Sequence, residues 1–91
     1  MTGNKKTNKF PYPHVNIEWV DICQSEEAWI NESEILNQDL ATCHDTGYIY
    51  KKTREKLWLF SSYSMNDDGS MDVGTVTVIP TKVIKKIERI K

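Results

Sequence analysis

Ninety-one residues at 38% hydrophobic content and a net charge of −1 are enough for one domain with one small core. No run approaches the roughly 18 apolar residues of a membrane helix. Met1 to Lys9 is polar and basic with no apolar stretch behind it, unlike a secretory signal. These features predict a cytoplasmic protein, without membrane attachment, whose two cysteines stay free thiols. A core this small is marginal alone, and association into an oligomer is one common remedy.

The charge is segregated. Residues 1–9 carry three Lys and no acid, whereas residues 10–50 carry eight acids and no Lys or Arg. Residues 51–57 sum to +3, residues 58–81 to −3 and residues 82–91 to +4. Two arrangements fit: acidic and basic surfaces that meet between subunits, or a mixed surface on which the fold brings both signs together.

In chain order, residues 1–13 read as a flexible basic tail, extended at Pro11 and Pro13, and residues 14–91 as a single domain. His14 to Cys23 alternates Val15, Ile17 and Trp19 with Asn16 and Glu18, a period of two that predicts the first strand. Ser25-Glu26-Glu27 resembles a one-turn helix start, and Asn31 with Glu34 has the form of a capping box. A short helix over about 32–38 is expected, with Ile35 and Leu36 facing the barrel and Trp29 and Ile30 plugging the gap between helix and sheet. A single helix over 26–39 is the competing reading.

Gly47 to Ser62 reads as a hairpin around the charged connector Thr53–Lys56. Its alternation places Ile49, Leu57 and Leu59 on one face and Tyr48, Tyr50, Trp58 and Phe60 on the other. Met65 to Asp72 is a polar turn in which Gly69 takes a positive φ. Val73 to Ile79 is the next strand, ended by Pro80, and Thr81 to Val83 is a tight turn. Residues 84–90 read as a last strand from their branched residues, although Val83, Ile87 and Ile90 also fit a helical stripe. The sum is a mainly β chain, a small five-stranded antiparallel barrel of the SH3/Sm-like type with a short helical insertion after the first strand.

The pattern Val15-x-Ile17-x-Trp19-x-Asp21, then Trp29, Gly47-Tyr48-Ile49, Ser61-Ser62 and Ile79-Pro80-x-x-x-Ile84-x-x-Ile87-x-x-Ile90 is similar to a group of small tailed-phage proteins, some of cyanophage origin. Those of marine cyanophage origin resemble Sm/LSm proteins in fold, strongly bent five-stranded barrels that assemble into rings. The resemblance implies a phage-encoded homo-oligomeric ring in the host cytoplasm and, by analogy, RNA binding. Sm proteins hold uridine-rich RNA through an Asp-x-apolar-Asn element and an Arg-Gly or Lys-Gly pair. This chain has Arg89 followed by Ile90 and no matching element between Leu57 and Asp72, so no site residue is carried over.

Catalytic, cofactor and metal sites are not expected. Cys43-His44-Asp45 contains nucleophile, base and orienter types, but three consecutive residues rarely aim at one another. Cys23, Cys43, His44 and His14 lack the paired spacing of a zinc site, and Asn66 to Asp72 lacks the alternating acids of a calcium loop. The set that stands out is Tyr48, Tyr50, Trp58 and Phe60 beside Lys51, Lys52, Arg54 and Lys56. Aromatics for stacking next to cations for phosphates are what a single-stranded nucleic-acid surface uses, and the same set serves equally as a subunit contact. The sequence thus predicts a non-enzymatic oligomeric binding or assembly module, alternatively an RNA- or single-strand-binding ring, with Trp19 and Trp29 buried as structural residues.

Overall fold

The computed structural model describes residues 10–91. Strands β1 (His14–Asp21), β2 (Ala41–Lys52), β3 (Lys56–Met65), β4 (Met71–Pro80) and β5 (Ile84–Arg89) form a single sheet in the order β4-β3-β2-β1-β5, antiparallel throughout. Two 3-10 turns, Glu32–Asn37 and Thr81–Val83, complete the regular structure. The mainly β architecture, the hairpin and the strand character of the last segment agree with the sequence reading.

One face carries the core. Val15, Ile17, Leu57, Leu59 and Ile79 are buried together, and Trp19, Ile49, Val83 and Ile84 pack against them. The register explains why these residues meet: Val15 opposes Gly47, Ile49 opposes Leu59, and Leu57 opposes Ile79. On β1 the period of two holds to Trp19, whose indole Nε1 donates to Asp45 Oδ2 at 2.8 Å. That bond gives a half-buried carboxylate its partner on the core side of the sheet.

β2 starts six positions earlier than the aromatic run suggests. Thr42 to Thr46 pair with β1 although none is a large apolar residue. Their alternation survives in exposure: Ala41, Cys43 and Asp45 are half-buried, while Thr42, His44 and Thr46 are exposed. Backbone hydrogen bonds to an already specified β1 extend the ladder here, independent of side-chain hydrophobicity.

The expected barrel closure does not occur. Among the described residues β4 pairs only with β3 and β5 only with β1. The sheet nevertheless bends at one end. Five flat strands would set β4 and β5 about 19 Å apart, whereas the link from Pro80 to Ile84 can span at most about 14 Å. Bulges that leave Tyr50 unpaired opposite β3 and Lys85 unpaired opposite β1 add local twist. At the corner, the Thr81 N–H donates to the Glu55 carbonyl at 2.9 Å and Thr81 Oγ1 to the Thr53 carbonyl at 3.0 Å. The corner is thereby tied to the β2–β3 hairpin tip, and with Pro80 lacking a donor no ladder passes from β4 to β5.

The helical insertion is shorter and looser than expected. Asn31 Oδ1 accepts from the Ser33 N–H at 2.9 Å and the Asn31 carbonyl accepts from the Glu34 N–H at 2.8 Å, so Asn31 does cap the turn. The turn then ends at Asn37 without reaching an α-helix. Trp29 is 91% exposed and Leu36 95%, and Ile35 is also exposed, so the expectation that they seal the sheet is wrong. Strand residues and the Thr81–Val83 corner already fill the core, and docking this segment on it would desolvate its flanking acids.

Ahead of β1 the chain is packed. The Pro13 carbonyl accepts from the Ile49 N–H at 3.0 Å, and Phe10 and Tyr12 lie on the sheet's second face. The ordered chain therefore includes Phe10 to Pro13, which the sequence reading placed in the tail; the rest of that tail, residues 1–9, lies outside the described residues.

Thr75 has φ +54°, a left-handed conformation that crowds a β-branched side chain. It sits where the side-chain alternation of β4 changes phase, so that Met71, Val73 and Val76 line one groove despite their mixed parity. Glycine at this position relieves the crowding while losing about 0.5–1 kcal/mol of chain entropy. Thr75→Gly is expected to leave the melting temperature unchanged or raise it by a few degrees in a thermal melt, where the same change elsewhere in β4 lowers it.

Candidate functional site

The second face of the sheet is built from aromatic rings. Phe60 is buried there, with Phe10, Tyr12, Tyr48 and Tyr63 within 6.4 Å centroid to centroid. Phe10 stacks on Tyr63 at 4.6 Å, Tyr12 on Tyr50 at 5.3 Å and His14 on Tyr48 at 4.6 Å. Edge-to-face and offset contacts of this kind contribute beyond their buried area. The face the hairpin pattern assigned to Tyr48 and Phe60 is thus a second small core.

The eight residues singled out in the sequence divide accordingly. Phe60 is buried and Tyr48 half-buried within the cluster, so their rings are used up. Tyr50 is exposed, projected by the bulge in β2, and Trp58 is half-buried on the same side. Lys51, Lys52, Arg54 and Lys56 are all exposed at the hairpin end. Thr53 shapes that end: its Oγ1 accepts from the N–H groups of Glu55 and Lys56 at 3.2 and 3.0 Å. The Lys56 ammonium lies 5.8 Å from the Trp58 ring centroid, within cation–π range.

Beside these residues runs a groove of about 260 Å³, lined by Tyr50, Trp58, Leu59, Phe60, Met71, Val73 and Val76. Trp58 also borders a shallower depression lined by Thr53, Arg54, Glu55 and Lys56. An apolar trough therefore continues into a rim where Arg54 and Lys56 outnumber the single acid Glu55. The β4 wall was not foreseen, because the phase change at Thr75 that turns Met71 and Val73 into it has no mark in the sequence.

The remaining chemistry-bearing residues sit apart. Cys43, His44 and Asp45 follow one another along β2, where His44 points to the opposite face from its neighbours. Cys23 is an exposed free thiol and Cys43 a half-buried one. Among the described residues no three His, Cys, Asp or Glu side chains converge as a metal site would require. In the β3–β4 turn, Gly69 takes φ +91°, and the Asp68 carboxylate accepts from the Ser70 hydroxyl at 2.6 Å and its N–H at 2.9 Å. Those bonds hold the Asp68 pKa below the usual carboxylate value. The acids of this loop are therefore arranged as turn chemistry.

No helix in the described residues is long and apolar enough to cross a membrane. Comparison with family models, curated proteins and solved structures finds no match to this chain.

Proposed function

We propose that this protein is a non-enzymatic binding or assembly module that works as a homo-oligomer, a ring of Sm-like subunits encoded by a tailed phage and acting in the host cytoplasm. The observation that carries the oligomeric part is the β4 edge. Among the described residues Met71–Pro80 is paired on one side only, and its Val73, Val76 and Val78 are exposed. A long edge strand with unpaired backbone groups and an apolar row is a surface that another chain covers. The strong bend at the Pro80–Ile84 corner supports the Sm-like reading. Light scattering of the full chain at micromolar concentration is expected to give a multiple of the single-chain mass; a single-chain mass overturns the proposal.

The alternative is a module for RNA or single-stranded nucleic acid. Exposed Tyr50 and the Lys56–Trp58 pair beside Lys51 and Arg54 are what favour it. Retardation of short oligonucleotides in a gel that weakens steeply with salt would select it, because release of counterions from phosphates sets that dependence.

A further inference from the structure

We infer that the apolar groove between β3 and β4 receives the loop of residues 22–40 from a second copy of this chain, with Trp29 as the anchor. The inference rests on the oligomeric reading above and names the contact that builds the oligomer.

Among the described residues both halves of the contact are present and left uncovered within one subunit. Ile22, Trp29 and Leu36 are 86%, 91% and 95% exposed, an unusual density of bare apolar side chains for so short a segment. The groove offers aromatic and aliphatic walls, Tyr50, Trp58, Met71, Val73 and Val76, with enough volume for a large ring. Tryptophan is one of the residues that most often dominate the energy of such a contact when it fills a well-packed pocket.

Charge selects the partner. Residues 22–40 carry Glu26, Glu27, Glu32, Glu34 and Asp39 and no base. The groove opens beside Arg54 and Lys56 at the hairpin end, where Glu55 is the one acid, and Lys51 stands opposite Trp58 on the neighbouring strand, leaving the rim net positive. Among the described residues these opposite signs do not meet. Among the described residues the only ion pair joins Lys86 to Glu88, both exposed, at 3.7 Å. An acidic segment with a central tryptophan complements a cationic-rimmed apolar slot in both respects. The basic stretch of residues 1–9 has the wrong sign for that rim, and a phosphate backbone has no use for the Met71, Val73 and Val76 wall.

The test measures self-association of the full chain by light scattering and sedimentation across a concentration series. Trp29→Ala is expected to weaken association about thirtyfold, the loss typical of an aromatic hot spot, while the circular dichroism spectrum stays that of the wild type because Trp29 is exposed among the described residues of its own subunit. The pairs Lys51→Glu with Lys56→Glu, and Glu32→Lys with Glu34→Lys, are each expected to weaken association. All four changes in one chain are expected to restore it, since the signs match again. Wild-type chain that associates while Trp29→Ala and both charge pairs associate equally well overturns this contact and leaves the oligomeric reading standing. Wild-type chain that stays single overturns both. Oligonucleotide binding that depends on Lys51 and Lys56, with association unaffected by their reversal, also overturns it. Leu36→Ala serves as the second apolar variant, with the same expected direction and a smaller loss.

Discussion

Phe60→Ala is expected to lower the free energy of unfolding by about 3–5 kcal/mol, the usual loss when a buried phenylalanine is truncated. Phe60 is fully enclosed on the aromatic face, where Tyr12, Tyr48, Tyr63 and Phe10 all lean on it. Its removal therefore leaves a cavity that four rings cannot all collapse into. Domains of this size hold only a few kcal/mol of net stability, so the variant should be largely unfolded at room temperature by circular dichroism. Tyr50→Ala, at the exposed bulge of the same hairpin and stacked on Tyr12, should cost only about 1 kcal/mol. Equal losses at the two positions in urea titrations would show that the second face is not packed as a core.

Gly47→Ala is expected to be the most damaging addition of a single methyl group in the sheet. A Cβ at Gly47 would stand 2.7 Å from the Phe60 carbonyl oxygen and 3.0 Å from Leu59 Cγ. The oxygen belongs to β3 backbone and cannot swing away as a side-chain tip would. Relief requires β2 and β3 to separate next to the Tyr48–Phe60 pairing, which loosens both cores together. The expected loss is about 1–3 kcal/mol, read as a shift of the urea midpoint with an unchanged slope. Gly69→Ala makes a useful contrast, because nothing lies within 4 Å of that position and only its φ of +91° resists the change.

Much of this arrangement could be read in the sequence, for identifiable reasons. β1 and the hairpin were legible because their apolar residues recur with the period of a pleated strand, and Val15, Ile17, Leu57 and Leu59 are the buried residues that period selects. The two-faced character of the hairpin was legible from the same alternation. Pro80 and Gly69 marked the strand end and the turn through their own backbone restrictions. The first half of β2 was not legible, since Thr42 to Thr46 are strand only because β1 offers them hydrogen-bond partners. Trp29, Ile35 and Leu36 misled, because hydrophobicity states a preference for burial without saying whether or against which surface that preference is met.

The candidate site divides along the same line. That aromatic and cationic residues share the central hairpin follows from Tyr48 to Phe60 alone, because strand alternation and a solvated tip are local properties of the chain. Which rings are spent on packing and which face outward depends on long-range contacts: Phe10 and Tyr12 reach the sheet from before β1 and enclose Phe60 while leaving Tyr50 exposed. The groove likewise exists only because β4 lies beside β3 and changes phase at Thr75. The sequence by itself determined the strands, their apolar faces and the separation of charge, all consequences of residue type and spacing. The tertiary structure alone decided that the sheet bends without closing and that its second face is half core and half groove, because both depend on which distant backbones pair and where a bulge or a single left-handed residue redirects them.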